Sequence, residues 1–457
     1  LAALQQKGCS LVITVDCGAS AFEPLQQAHD AQLDVIVLDH HIGSASLPAA
    51  VAVVNPNRLD ETTPHRYFAA VGVVFLTLIA LNRHLRESGW FSAQAIKEPN
   101  LLLWLDIVAL GTVCDVVPLV GANRAIVAQG LKVMSNRRNT GITALIDNAG
   151  VSETLSTYHA GFVIGPRINA GGRVGHAPYG AQILSSDDDG QVAHLAYALE
   201  TYNAERKAIE MLVQKEAEAQ TFQQDNRAVI MVYAPHWHQG VIGIVAGRLK
   251  EKFHKPVAVL SREGDVLKAS ARSISGADIG AAVVRARTQG LLLAGGGHAM
   301  AAGFSLDTDH LTAVHDYLEE QLQEAVRLAH EDRILKLDAV IALQGATPHL
   351  AKQLQLAAPY GVGNPSPKIA VSNVRIGKLD VLKDSHIRLQ LHAAEGSSAG
   401  WLKAMAFRAM HTPLGDILCQ AHNQPLHLAG QLQLEQWQGR EQAVLHIEDA
   451  ALVRRNS

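Results

Sequence analysis

Along the first 120 residues, short uninterrupted apolar runs alternate with segments whose apolar residues recur at helical spacing. The runs are "LVITV" at 11–15, "VIVL" at 35–38 and "VAVVN" at 51–55, separated by segments such as "FEPLQQAHDAQ". Strands that are apolar on both faces and spaced by helices predict a parallel sheet covered on each side. Ligands of such sheets sit at the carboxyl ends of the strands, the edge occupied here by Asp16, Asp39, His40 and His41. Apolar helices are predicted over 68–86 and 100–113, and a short one in "GITALIDNAG" ending at glycine.

From 188 to 224 the pattern is that of one long amphipathic helix with no Gly or Pro after Gly190. A second α/β pattern follows: "AVIMVY" at 228–233, the helix "GVIGIVAGRLKEKF", the strand "PVAVL", then "AGFSL" before a helix beyond Asp309. From about 334, alternating strands punctuated by turn residues predict a small β-barrel, for which the oligonucleotide-binding (OB) barrel is the commonest candidate. The predicted fold class is thus α/β with a parallel-sheet first domain, a long connecting helix, a second α/β domain and a C-terminal OB-type barrel. The boundaries expected are 1–150, 151–225, 226–330 and 331–457.

Composition narrows the class. At 457 residues the chain is too long for a single ordinary core, and with 48% hydrophobic and 18% charged residues it reads as globular. No apolar run reaches the roughly 18–20 residues of a membrane span and the N-terminus lacks a signal-peptide layout, so the expectation is cytoplasmic, without a membrane partner. The four cysteines, Cys9, Cys17, Cys114 and Cys419, make no CxxC pair, which favours reduced thiols over disulfides or structural zinc. A net charge of −4 means that any nucleic-acid binding must come from a local basic groove. The chain opens on Leu1 and reaches "LVITVD" within sixteen residues, which reads as a sequence lacking its natural beginning.

Asp16 follows a strand and precedes Gly18; Asp39, His40 and His41 follow the next; Asp115 lies in "LGTVCDVVPL" after a helix. Carboxylate and imidazole donors on adjacent loops suit a divalent ion of the Mn/Mg type. Two such ions can clamp a phosphoryl group and generate hydroxide for in-line attack. The plainer alternative is an aspartate capping a helix beside a solvated histidine, against which stands the clustering of acidic strand ends.

A second block, "LLLAGGGHAMAAGFSL" at 291–306, brings Gly295, Gly296 and Gly297, which allow close backbone approach to a phosphate, next to His298. A triple glycine is more often a plain turn. "KASARSI" places Arg272 at a strand end, suited to bidentate phosphate contact. "GPRINAGGRVGHA" adds Arg167 and Arg173 around further glycines, with a buried interdomain arginine as the alternative. In "YAPHWHQGVIG" the helix N-terminus could receive an anion, and Trp237 is expected in a core.

In order, "ITVDCG", "LDHH", "VVNPNR", "AAVGVVF", "LWLDIVALGTVCDVVPL", "GPRINAGGR", "HWHQGVIGIVAGRLKEKF", "ASARSI", "GGGHAMAAGF", "APYGVGNPSP" and the closing "QWQGREQAVLHIEDA" resemble the DHH phosphoesterase superfamily, and within it the exonucleases specific for single-stranded DNA. The resemblance implies a DHH domain, a connecting helix, a DHHA1 domain and an OB barrel. It makes Asp16, His40, His41 and Asp115 metal ligands and Asp39 the acidic, catalytic member of the DHH signature. His298 becomes a second catalytic group, lining with its glycines a cleft opposite the metals, and Arg167, Arg173 and Arg272 grip DNA phosphates, the 5′ end included.

The implied reaction is two-metal hydrolysis, with Mn²⁺ or Mg²⁺, that removes nucleotides from the 5′ end of single-stranded DNA in recombination and repair. The implied partners are single-stranded DNA, a single-strand-binding protein and a helicase, for a monomeric enzyme. The family's first motif, Asp-x-Asp-x-Asp-Gly after a strand, has no counterpart here and would supply further ligands, which leaves the implied centre incomplete. Cys17 and Cys114 stand beside two ligand aspartates and are read as packing residues. Two alternatives stay open: a superfamily member that degrades short oligonucleotides, and a non-catalytic single-stranded-nucleic-acid-binding scaffold.

Overall fold

A computed structural model of the chain describes residues 1–224, 226–331, 334–394, 400–421, 424–437 and 439–453; Gln438 of the closing block lies outside them. The described chain divides into two units, one of 1–136 with 155–160 and 335–457, the other of 137–154 with 161–334. No helix of the described residues is long and apolar enough to cross a membrane.

The first unit opens with β1 (Leu11–Val15), β2 (Asp34–Leu38) and β3 (Ala52–Val54), a parallel sheet in the order β1-β2-β3. The apolar runs pair in register, Val15 opposite Leu38 and Leu38 opposite Val54, so the residues that follow each strand emerge along one edge. Val35, Val37 and Val53 pack with Leu25 and Ala28 of the helix Phe22–Asp30. The long apolar helix runs from Ala70 to Glu87. The second predicted helix resolves into a single tight turn, Leu101–Trp104, and the α-helix Leu105–Cys114. That α-helix packs tightly on Gly121–Ser135: a Cβ on Gly130 would lie 2.2 Å from the Leu105 carbonyl oxygen, a contact only glycine permits.

In the second unit the long helix spans Asp189–Thr221, capped by the Asp188 carboxylate on the Gln191 N–H. Its five-stranded sheet comprises β4 (Ile230–Tyr233), β5 (Val257–Glu263), β6 (Val266–Arg272), β7 (Ala294–His298) and β8 (Ala301–Asp307), in the order β4-β5-β6-β8-β7. The triple glycine is therefore an edge strand and not a turn. A Cβ on Gly295 would stand 2.8 Å from a Val283 methyl, so glycine lets the helix Ile279–Thr288 press onto β7. "GPRINAGGRV" forms the helix Gly165–Val174.

Back in the first unit, β9 (Ala339–Ala342), β10 (Ile369–Leu382), β11 (His386–Ala393), β12 (Leu402–Ala406), β13 (Leu426–Trp437) and β14 (Arg440–Leu452) follow. The order β11-β12-β14-β13-β10 closes through a β10–β11 pairing, with β9 added parallel to β10. This closed five-stranded ring, with the helix Pro413–Gln420 between β12 and β13, is the predicted OB-type barrel. Val371, Leu389, Ala404, Leu428 and Leu445 fill its interior.

Candidate metal centre

Three chain turns build the centre. Asp16 directly follows β1 in the left-handed region at φ 60°, while its N–H continues the ladder to the Leu38 carbonyl at 3.0 Å. Gly18, two residues on, has φ 117°. Asp39 leaves β2 with its N–H on the Val54 carbonyl at 3.0 Å. Asp115 caps the C-terminus of the helix Leu105–Cys114, and Val116 after it again has φ 60°. Positive φ at two non-glycine residues beside the same side-chain cluster is the kind of strain that collects at working sites.

His40 stands at the middle. Its Nε2 lies 3.3 Å from Asp16 Oδ1 and 3.5 Å from Asp115 Oδ2. Donor atoms of Asp16, His40 and His41 all fall within 4.8 Å of one another, close enough to share one ion. Burial pushes the Asp115 carboxyl above the usual carboxylate range; His40 draws it back and Asp16 pushes it up again. Two carboxylates gathered round one imidazole is an arrangement that a divalent cation relieves, and the mixed oxygen and nitrogen donors are those of a Mn or Mg site.

Asp39 is buried and faces inward. One oxygen accepts the Ala19 N–H at 2.9 Å; the other accepts the His40 N–H, the His41 N–H and the His41 Nδ1–H, the last at 2.7 Å. Its carboxyl is held below the ordinary range: burial alone would raise it, and this set of donors outweighs burial. Four protein donors occupy the carboxylate, a geometry suited to positioning the histidine loop. By accepting a hydrogen bond from Nδ1–H, the Asp39 carboxylate favours the tautomer that leaves His41 Nε2 free to bind a metal.

Sequence reasoning missed two residues. The Asn55 side chain donates to the His41 carbonyl at 2.8 Å, and the Asn57 side chain to the His40 carbonyl at 2.6 Å. The "VVNPNR" block thereby pins the histidine loop, and the signal that could have found it is an Asn-Pro-Asn directly after a strand on the same edge. Cys114 packs with its thiol on the Ala160 carbonyl, and burial pushes it up to about 11.

The remaining predicted residues all lie in the second unit. Arg167 is buried, paired with Glu200 at 2.5 Å and donating to the Val163 carbonyl at 2.7 Å, which is the buried-arginine alternative. Arg173 donates to the Gly240 carbonyl at 2.9 Å, and Arg272 to the Ala271 carbonyl at 2.8 Å. Among the described residues neither of these two meets a carboxylate. Burial disfavours the charged form of both; Arg206 adds to the effect on Arg173, and Arg173 to that on Arg272. Glu210, paired with Arg206, partly offsets the effect on Arg173, and cations that crowd one another are receptive to an anion. His298 ends β7, beside Gly280. His238 spends its Nδ1 capping its own helix on the Gly240 N–H, and Trp237 is buried with its indole N–H on Glu216.

Residues 2–112 match the DHH family, N-terminal domain; 226–331 match the DHHA1 domain; 337–449 match the RecJ OB domain. The single-stranded-DNA-specific exonuclease RecJ of Dickeya dadantii is 37% identical over 401 residues, covering 85% of this chain and 69% of the relative. That of Escherichia coli is 36% identical over 400 residues, with the same coverage. A crystal structure of Thermus thermophilus RecJ in complex with Mn²⁺ superposes with a TM-score of 0.81 at 28% identity over 99% of this chain, and one with Mg²⁺ gives 0.74 at 26% over 98%. The chain spans 63% and 62% of those two structures' length. With the three domain matches in one order and this identity across most of its length, the chain belongs to the RecJ family of single-stranded-DNA-specific exonucleases.

Proposed function

We propose that this chain is the catalytic part of a single-stranded-DNA-specific exonuclease that hydrolyses phosphodiester bonds from the 5′ end and releases 5′-mononucleotides, in DNA recombination and repair. The observation that carries the reading is the convergence of Asp16 and Asp115 on His40 Nε2, beside a His41 oriented by Asp39.

Asp16, His40, His41 and Asp115 would hold Mn²⁺ or Mg²⁺. A bound ion of this kind polarises a phosphoryl oxygen and supplies a hydroxide nucleophile near neutral pH. Asp39 keeps the His41 ring and the loop in place, and Asn55 and Asn57 anchor the loop from behind. Arg272 and Arg173, crowded and forming no carboxylate ion pair among the described residues, would grip a DNA phosphate; Gly295, Gly296, Gly297 and His298 would hold the neighbouring one. Arg167 would serve by bracing the long helix through Glu200. The domain division proposed is 1–150, 151–225, 226–330 and 331–457, and the enzyme is taken as a cytoplasmic monomer that works with a single-strand-binding protein and a helicase.

The test is Mn²⁺-dependent release of mononucleotides from 5′-phosphorylated single-stranded DNA by the 457-residue chain, with Asp115→Ala as the control. Release that the substitution abolishes supports the reading. Release that survives it moves the chemistry away from this centre.

A further inference from the structure

The block "APYGVGNPSP" at 358–367 joins the helix Pro348–Gln355 to β10 of the barrel, and it is held in one shape from within. Gly361 and Asn364 exchange both backbone hydrogen bonds, at 3.0 and 3.1 Å, and the Asn364 side chain donates to the Ala357 and Pro359 carbonyls at 3.0 and 2.9 Å. The Tyr360 hydroxyl ties the loop to the Leu354 carbonyl.

Three of its carbonyls are taken by donors far away in the sequence. The Leu119 N–H donates to Val362 at 2.7 Å, the Arg124 guanidinium to Ala357 at 2.7 Å, and the Thr157 hydroxyl to Tyr360 at 2.8 Å. Two glycines let the loop lie flush on 118–120. A Cβ on Gly361 would stand 2.7 Å from a Leu119 methyl, and one on Gly363, at φ 74°, would stand 3.1 Å from both Pro118 Cβ and a Val120 methyl. Leu119 has little room to give, because it is buried with Ala109, Val127 and Leu131.

The segment under the loop is the chain that follows Asp115. Asp115 ends its helix with its N–H on the Gly111 carbonyl at 2.9 Å, Val116 turns at φ 60°, and only Val117 and Pro118 stand between that turn and Leu119. A non-glycine residue stays in the left-handed region where its surroundings over-determine it. Here the buried Asn123 side chain holds the Pro118 carbonyl at 3.1 Å, and the loop holds the next peptide through Leu119. The histidine loop is pinned from behind by Asn55 and Asn57; the Asp115 turn is pinned from the barrel side.

We propose that the loop 358–367 is a positioning element of the metal centre: seated on 118–120, it holds the Val116 turn and thereby sets the place of the Asp115 carboxylate opposite His40. The proposal rests on the reading of Asp115 as a metal ligand. A disturbance of the barrel's seat is then felt as a change of metal affinity, although the loop supplies no ligand.

The test is calorimetric titration of Mn²⁺ into the 457-residue chain. The variants are Gly361→Val, which wedges the loop off Leu119, and Arg124→Met with Thr157→Val, which removes two donors without adding bulk. Each is expected to weaken Mn²⁺ binding about 10-fold, as loss of a group that orients a ligand does. Thr157→Ser, which keeps the hydroxyl, is expected to bind as the parent chain does. In an Asp115→Ala background the same changes are expected to cost nothing further, because the group they displace is gone. Far-UV circular dichroism checks that each variant is folded; should Gly361→Val fail, the donor pair carries the test.

Equal weakening in both backgrounds would make the loop a general brace and overturn the proposal. Parent-like affinity of the loop variants, where Asp115→Ala itself binds weakly, also overturns it and leaves the ligand reading standing. Parent-like affinity of Asp115→Ala removes the ligand reading, and the proposal with it.

Discussion

The Oδ1 of Asp39 lies 2.7 Å from the Nδ1 of His41, two residues on, and the same oxygen accepts both intervening backbone N–H groups. A single carboxylate thus sets the loop and the histidine tautomer together. Asp39→Asn removes the charge that holds the Nδ1 proton, and the expected result is a 10- to 100-fold (order of magnitude) loss of Mn²⁺ affinity with the ligands untouched. Calorimetric titration of Mn²⁺ into the variant checks this; an unchanged affinity would reduce Asp39 to a structural cap.

Gly18 tests the loop from its other side. At φ 117°, a Cβ there would lie 2.9 Å from Thr14 Oγ1 and 3.0 Å from a Val37 methyl. Gly18→Ala is expected to cost about 1–3 kcal/mol through combined strain and overpacking. Urea denaturation would read the cost, and Mn²⁺ binding should weaken in step because Asp16 sits two residues away.

Arg167 and Arg272 have the same side chain and different surroundings. Arg167 is paired to Glu200, so Arg167→Gln is expected to lower stability by about 1–3 kcal/mol. Arg272, which meets no carboxylate among the described residues, should when changed to Gln leave melting nearly unaltered and instead weaken the preference for 5′-phosphorylated over 5′-hydroxyl oligonucleotides. A melting curve and a pair of binding titrations on each variant separate the two roles.

Cysteine labelling probes the packing beside the centre. Cys9 and Cys17 are exposed, so Cys17 is not the packing residue expected of it, whereas burial raises Cys114 to about 11. At pH 8 only about one Cys114 in a thousand would be thiolate, the form that alkylates. Iodoacetamide followed by peptide mass mapping should therefore find Cys9 and Cys17 modified well before Cys114. Fast modification of Cys114 would mean that its helix end opens.

His315 offers a pH reading away from the centre. Burial holds its pKa below the ordinary histidine value, partly offset by its bond to the Val229 carbonyl at 2.9 Å. A histidine depressed in the folded state binds more protons when unfolded, so its stabilising effect is full above the unfolded pKa of about 6.5 and is lost as pH falls through the folded value. Melting temperature should decline below about pH 6.5, and His315→Gln should flatten that part of the decline.

What the sequence by itself determined was the delivery of residues to edges. An apolar run that ends in Asp16 or in Asp39, His40 and His41 forces those side chains onto the carboxyl rim of a parallel sheet, because strand direction and burial leave no other place for them. The same local logic marked out the long helix and the alternating strands of the barrel.

Tertiary packing alone decided the rest. Asp115 stands 3.5 Å from His40, a relation between residues far apart in the chain that no local spacing encodes. Asn55 and Asn57 find the histidine loop only once β3 lies beside β2. The triple glycine became an edge strand and the glycine-rich arginine segment a helix because neighbouring elements needed close approach there, and Arg167 was claimed by a glutamate one helix away. Periodicity reports which face of an element is buried; which partner it meets is settled by long-range contacts.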